Sequence, residues 1–323
     1  MSLHESILAG DRLALARLLT QLENEAPEGE ETLGALYIHT GDAYRIGITG
    51  GPGTGKSTLV NQLARRLREQ PLPDHDDAPR VAIIAVDPSS PFTGGAILGD
   101  RIRMRDLSGD EGIFIRSMAS RGTLGGLAKA TGSLALALDA AGYGIVLIET
   151  VGAGQAEVQV ASMAHTTIVI DAPGLGDEIQ ANKAGILEIA DILVVNKADL
   201  PGVENTQRVL EQALEFAGNG REAEAEKWKT PVLPTTATTG DGIPELVDTI
   251  HGHFNHLRSS GQWSERERQQ IRNQLFTGLQ EALFERFRIA SGEDRVERAV
   301  DQLLAREITP KSAIQTLLED GKR

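Results

Sequence analysis

From Arg45 onward the chain alternates short, largely apolar β-rich runs with stretches whose apolar residues recur at helical spacing. The runs are Ile46–Thr49, Val81–Val86, Ile145–Glu149, Thr167–Ile170, Ile192–Asn196 and Pro231–Leu233. Strands apolar on consecutive residues are buried on both faces, and intervening helices return the chain in the same direction. The pattern therefore predicts an α/β fold with a mainly parallel sheet flanked by helices. Ahead of it, Ser2 and Glu5 have capping-box spacing, and Ile7, Leu8, Leu13, Leu15, Leu18, Leu19 and Leu22 recur helically around a break at Gly10. The acidic stretch Glu23–Glu31, which contains Pro27 and Gly29, reads as a linker into a further helix.

After about His256 the strands stop. Ser264 and Glu267 again have capping-box spacing, and Ile271, Leu275, Leu279, Leu283 and Phe287 form a helical stripe. Val296, Val300, Leu303 and Leu304 form a second, and Thr309-Pro310 opens a third helix. The expected organisation is an N-terminal helical extension over 1–43, the α/β domain over 44–257 and a C-terminal helical arm over 258–323. The apolar positions of the arm need cover, either from the chain's own domain or from a second copy in a homodimer.

Composition narrows the function. With 46 acidic against 32 basic residues the net charge is −14, which argues against nucleic acid as a partner, because phosphate backbones need clustered Lys and Arg. The chain has no cysteine, so it holds no disulfide and no thiolate metal site, as fits a reducing cytoplasm. No secretory signal opens it, and no run approaches the ~20 apolar residues of a membrane span. The expectation is a cytoplasmic protein with no membrane attachment.

The strand ending at Thr49 leads into Gly50-Gly51-Pro52-Gly53-Thr54-Gly55-Lys56-Ser57, followed by Thr58 and a helix through Leu59, Leu63 and Leu67. This is G-x-x-x-x-G-K-[ST] in the strand–loop–helix context the motif requires, a P-loop. Its glycines let backbone N–H groups converge on phosphate oxygens at a helix N-terminus. Lys56 then bridges the β and γ phosphates and Ser57 ligates Mg2+. Asn196-Lys197-Ala198-Asp199 follows the strand Ile192–Val195. The Asp199 carboxylate can accept from both N1–H and the 2-amino group of guanine, a donor pair that adenine lacks. Asn196 would support the loop and touch the purine edge, and the Lys197 stem would cover the ring. The pair of motifs predicts GTP and GDP as ligands.

Two carboxylates close neighbouring strands, Asp87 after Val81–Val86 and Glu149 after Ile145–Ile148. Asp87 is expected to hold the metal, directly or through water, and Glu149 to position the attacking water or a metal-bound one. A helix cap or turn is the alternative for each. Asp100 lies in the glycine-rich segment Thr93–Arg101, suited to rearranging with the nucleotide, and Pro173–Glu178 is a second element of that kind.

The segments Ala85-Val86-Asp87-Pro88-Ser89-Ser90-Pro91, Thr93-Gly94-Gly95, Leu98-Gly99-Asp100, Ser120-Arg121-Gly122-Thr123-Leu124-Gly125-Gly126, Glu149-Thr150-Val151-Gly152 with Gly154-Gln155, and Gly176-Asp177-Glu178 together resemble the MeaB/ArgK/MMAA family. Its members are P-loop GTPase chaperones of adenosylcobalamin-dependent acyl-CoA mutases, chiefly methylmalonyl-CoA mutase. The resemblance covers roughly Leu13 to Leu246, and the tail in general character. It implies that Lys56, Ser57, Asp87, Asp100 and Glu149 handle phosphate, magnesium and water, and that Asn196 and Asp199 read guanine. It makes Gly174–Lys183 the family's third switch, with Lys183 tied to partner-stimulated hydrolysis. It also implies homodimerisation through the C-terminal helices, with the N-terminal helices as an accessory. Two departures stand out. Phe92 replaces a residue that is basic in many relatives, and Thr235-Thr236-Ala237 replaces Thr-Ser-Ala in the second guanine loop, where Ala237 can still offer its N–H to the guanine oxygen.

His251, His253 and His256 suit either a transition metal or an exposed polar helix end. Arg121 suits a phosphate contact or a salt bridge, and Asp74–Asp77 a solvated loop. Besides the mutase chaperone, two function classes remain: a metallochaperone GTPase for metalloenzyme maturation, and a nucleotide-dependent kinase linked to arginine/ornithine transport. The chain carries no D-x-H-x-x-G cobalamin signature, so in the first class the cobalamin would sit in the partner.

Overall fold

The computed structural model describes residues 1–73, 77–88, 105–107, 109–120, 124–150, 155–174, 183–218, 228–291 and 293–320. Among them lies a sheet of seven parallel strands: β1 (Tyr44–Gly50), β2 (Val81–Pro88), β3 (Ile113–Ser120), β4 (Ile145–Glu149), β5 (Thr166–Asp171), β6 (Ile192–Asn196) and β7 (Val232–Thr235). Their order across the sheet is β3-β2-β4-β1-β5-β6-β7. The helices are α1 (Leu3–Leu8), α2 (Arg12–Glu23), α3 (Pro27–Leu36), α4 (Lys56–Glu69), α5 (Leu124–Ala140), α6 (Gln155–Met163), α7 (Lys183–Ile189), α8 (Val203–Gly218), α9 (Ile243–Ser259), α10 (Gln262–Ser291), α11 (Glu293–Leu304) and α12 (Pro310–Asp320).

Six strands overlap the apolar runs, and the expected α/β architecture is the one observed. β3 was not expected. Arg116 and Ser117 interrupt its apolar residues, which an edge strand tolerates because one side of its ladder is unpaired. Alternate residues divide between two cores. Ile46, Ile48, Ile83 and Leu147 pack with α4 and α9 through Leu59, Leu63, Leu246 and Ile250. Ala82, Ile84, Val146 and Ile148 face Leu134 and Leu138 of α5.

The N-terminal helices complete this second core with Leu15, Leu18, Leu19, Leu22 and Leu36. Each fully buried leucine contributes about 1.5–3 kcal/mol, so in this chain the extension is part of the domain and not an accessory. Ser2 and Glu5 do form the capping box that opens α1. The expected linker at Glu23–Glu31 is shorter than its composition suggested, because Pro27 starts α3 at a position where a missing N–H costs nothing. Arg12 Nη2 donates to Ile113 O at 2.7 Å, and Arg116 pairs with Glu23, fastening α2 to the edge strand.

Residues Met1–Arg268 form one compact unit and Gln269–Arg323 another. α10 begins at Gln262, ahead of the expected cap at Ser264, because Trp263 is buried against Phe254 with the Arg258 guanidinium 3.8 Å from its ring. In the second unit, Thr309 Oγ1 caps α12 by accepting from Ser312 N–H at 3.2 Å. The stripe Ile271, Leu275, Leu279 and Leu283 lies on α10 and is exposed in the single chain, Leu275 by 68 %.

The histidines on α9 form neither a metal cluster nor an exposed helix end. Among the described residues no group of three or more His, Cys, Asp or Glu is placed to hold a metal, and His253 is fully buried. Its Nδ1 lies 2.7 Å from Thr166 Oγ1 and its Nε2 lies 3.4 Å from Asp191 Oδ1. Asp191 also receives both terminal nitrogens of Arg266, at 2.9 and 2.8 Å. Helical spacing shows which histidines share a face but not what that face meets.

Burial lowers the His253 pKa to about 4, with Asp191 opposing the shift and Arg266 reinforcing it. Burial also holds His165 well below its usual value, aided by Arg45 and Arg266. Both are thus neutral in the fold. Above pH 6.5 they are neutral in the unfolded chain too, so they cost nothing. Below it the unfolded chain takes up protons that the folded one refuses, and stability falls. His253 alone should remove about 3 kcal/mol between pH 6.5 and 4. Urea midpoints at pH 7.5 and 5 should therefore differ, and His253→Gln should flatten the dependence; equal midpoints in the parent chain would contradict this burial.

Candidate nucleotide site

β1 sits at the centre of the sheet, between β4 and β5, and the loop leaving its C-terminal end holds the P-loop motif. The glycines there are required by geometry. Gly50 has φ +143°, and a Cβ on it would meet Ile170 O at 2.1 Å; Gly55 has φ +93°, and its Cβ would meet Asn196 Nδ2 at 2.4 Å. Gly53 also takes positive φ, +79°, and Gly51, Pro52 and Thr54 complete the turn, with Thr54 Oγ1 donating to Gly51 O at 2.9 Å. α4 starts at Lys56, and its N-cap Gly55 has no side chain to occupy the first-turn N–H groups of Lys56, Ser57 and Thr58. Those donors and the helix dipole form a cradle for an anion.

Lys56 is buried, and its ammonium donates to Gly50 O and Gly51 O, both at 2.9 Å. Ser57 Oγ donates to Glu149 Oε1 at 2.7 Å, which brings together two residues 92 positions apart in the chain. A hydroxyl and a carboxylate side by side at a phosphate loop are hard oxygen donors of the kind Mg2+ takes, so the residues fit that metal.

Asn196 joins the phosphate loop to the base-reading loops. It is buried at the end of β6, and its Nδ2 donates to Thr54 O at 2.8 Å. Its Oδ1 accepts from Thr235 Oγ1 at 3.1 Å and Ala237 N at 3.0 Å. The Ala237 N–H, expected to face a guanine oxygen, is thus engaged by Asn196 in this structure. Lys197 follows with φ +59°, an uncommon conformation for a side-chain-bearing residue, which marks a held functional turn. Ala198 N bonds to Thr235 O at 2.9 Å and Leu200 N to Lys197 O at 2.9 Å, so an ordered backbone presents Asp199 at the exposed rim. Thr236 is buried, its N–H given to Asp241 O at 2.9 Å, and Gly242, φ +74°, closes that loop where a Cβ would meet Pro234 O at 2.3 Å.

The structure thus brings Lys56, Ser57, Glu149, Asn196, Lys197, Asp199, Thr236 and Ala237 to the C-terminal edge of the sheet, the place where open α/β sheets bind ligands. Asp87 lies in β2 in register with Ala119, and Lys183 opens α7; their side chains lie outside the described residues. So do Asp100 with its whole segment, Phe92, Arg121, the acidic loop at 74–76 and most of Gly174–Lys183. Sequence reasoning passed over one buried pair, Thr49 and Thr150, whose hydroxyls meet at 3.0 Å. Thr49 was read only as the end of a strand and Thr150 only as the residue after Glu149, and it is the strand register that makes them neighbours.

The profile of the family described as methylmalonyl Co-A mutase-associated GTPase MeaB matches residues 15–292. A protein of Pyrococcus abyssi (strain GE5 / Orsay) is 42% identical over 98% of this chain and 95% of its own length. GTPase ArgK of Escherichia coli (strain K12) is 37% identical over 81% of this chain and 78% of its own. Among solved structures, a LAO/AO transport system kinase is similar at TM-score 0.75 and 28% identity, covering 99% of this chain and 97% of that one.

Proposed function

Because the chain belongs to the MeaB family of methylmalonyl Co-A mutase-associated GTPases, we propose that this GTPase is a chaperone that gates adenosylcobalamin loading, protection or repair of an acyl-CoA mutase such as methylmalonyl-CoA mutase. The observation that carries the reading is the family match over residues 15–292, joined to a site in which one buried amide, Asn196, links phosphate loop and base loops.

In this reading the backbone N–H groups between Gly51 and Thr58, of which Pro52 has none, and the Lys56 ammonium neutralise the β and γ phosphates. Ser57, Asp87, Asp100 and Glu149 form the magnesium and water shell. When bound, Mg2+ adds positive charge where the transferring phosphoryl group gathers negative charge. Asp199 accepts from the guanine edge, the Lys197 stem covers the ring, and Asn196, Thr236 and Ala237 hold the loop in shape. Hydrolysis by the chain alone is slow, and the partner accelerates it by ordering the segments around Asp100 and Lys183. The exposed stripe on α10 supports homodimerisation through the C-terminal arm. The negative charge supports a protein partner over nucleic acid. No helix among the described residues is long and apolar enough to cross a membrane, and we place the protein in the cytoplasm.

The test is phosphate release from GTP with and without a purified adenosylcobalamin-dependent acyl-CoA mutase. We expect the rate to rise roughly tenfold or more, which is about 1.4 kcal/mol off the barrier, together with nucleotide-dependent co-elution. An unchanged rate with no co-elution in either nucleotide state would remove the mutase from the reading. The kinase name of the solved relative keeps phosphoryl transfer to an acceptor as a second reading. That reading requires ATP to bind more tightly than GTP in calorimetry.

A further inference from the structure

The Thr49–Thr150 pair sits where the strand entering the phosphate loop lies beside the strand carrying Glu149. β1 and β4 stay in register to Ile48↔Glu149, and Thr150 N–H extends the ladder by donating to Ile48 O at 3.1 Å. Side chains alternate across a sheet. Ile48 points into the core shared with α4, so its register partner Glu149 reaches Ser57 on that face. Thr49 and Thr150, one residue further on, point to the opposite face, where Thr150 Oγ1 donates to Thr49 Oγ1 at 3.0 Å. Both are buried, at 0% and 1% exposure.

Stability alone does not account for this pair. Two valines would fill nearly the same shape without hydroxyls to desolvate, and replacing both partners of a buried hydrogen bond by apolar isosteres is nearly neutral or stabilising. What the hydroxyl pair adds is direction, since it fixes the lateral and axial offset of β1 and β4 at the point where their pairing with each other ends. Gly50 begins the phosphate loop on one side, and Glu149 holds Ser57 Oγ at 2.7 Å on the other.

We propose that the Thr49–Thr150 hydroxyl pair is a positioning latch for GTP hydrolysis: it locks the strand end bearing Glu149 to the strand end that opens into the phosphate loop, and so sets the Ser57–Glu149 spacing. The proposal rests on the assignment of Ser57 and Glu149 to the metal and water shell. Both threonines lie on the sheet face opposite Ile48 and Glu149, so they act as positioning residues through Glu149. Because the latch holds the reacting geometry and not the nucleotide's bulk contacts, its loss falls on kcat and leaves KM and GDP affinity in place. Misplacement of a catalytic group by a fraction of an ångström is enough to slow turnover roughly tenfold.

The experiment compares the full-length chain with Thr150→Val, Thr150→Ser and the double variant Thr49→Val/Thr150→Val, measuring kcat and KM for GTP, GDP affinity and the thermal midpoint. Thr150→Ser keeps the hydroxyl and is expected to retain wild-type kcat. Thr150→Val leaves the Thr49 hydroxyl buried without its donor and is expected to lose both kcat and some thermal stability. The double variant is decisive: its thermal midpoint should recover to the wild-type value or above while its kcat stays roughly tenfold low. A double variant with wild-type kcat overturns the latch, as does a kcat that recovers in step with the thermal midpoint, since the pair would then serve folding only. If Glu149→Gln leaves kcat unchanged in the same assay, the assignment of Glu149 fails first, and the latch fails with it.

Discussion

Lys56→Ala is expected to abolish tight GTP binding while the chain stays folded. The side chain is buried, and its ammonium spans the carbonyl oxygens of Gly50 and Gly51 at 2.9 Å each, so the charge is held directly at the anion cradle. Charge-assisted hydrogen bonds contribute roughly 1.5–3 kcal/mol each. Losing the contacts to two phosphates should weaken GTP by a factor of about 100 or more. The fold has little to lose: Lys56 is the first residue of α4, alanine is the best helix former, and the core beneath is carried by Leu59, Leu63 and Leu67. Isothermal titration with GTP, alongside a thermal melt of the same preparation, checks both halves. Wild-type affinity in a folded variant would mean that Lys56 does not face the phosphates.

What the sequence disclosed about this protein was local. Strands such as β4 and β6 were legible because burial on both faces forces consecutive apolar residues, whereas β3 was not, because an edge strand can carry Arg116 and Ser117 in its middle. The phosphate loop was legible because backbone geometry demands glycine at closely spaced positions, Gly50, Gly53 and Gly55. The tie from Asn196 Nδ2 to Thr54 O spans 142 residues, and no periodicity reports it; it exists only once β6 lies two strands from β1. The same holds for His253. Its spacing on α9 suggested a ligand or a solvated end, yet the outcome was decided by Asp191, just before β6, and Arg266 on α10.

Asp199→Asn is expected to exchange guanine preference for xanthine without touching the fold. The residue stands at the exposed rim of a loop whose backbone is fixed by Lys197 at φ +59° and by bonds from Ala198 to Thr235 and from Leu200 to Lys197, so the substitution changes hydrogen-bonding character and leaves position alone. Surface changes of this kind stay within about 0.5 kcal/mol of wild-type stability. Guanine presents two donors, N1–H and the 2-amino group, to a carboxylate that only accepts. Asparagine turns one acceptor into a donor and sets it against a guanine donor. Xanthine carries an oxygen in place of the 2-amino group and so matches the amide. Two hydrogen bonds to a charged group are at stake, roughly 1.5–3 kcal/mol each, so GTP affinity should fall by a factor of about 100 or more while XTP gains. Competition of GTP and XTP for one labelled nucleotide measures the ratio directly. If the ratio stays as in the parent chain, the base is read by other groups, and the loop from Asn196 to Asp199 only braces the phosphate cradle through Thr54.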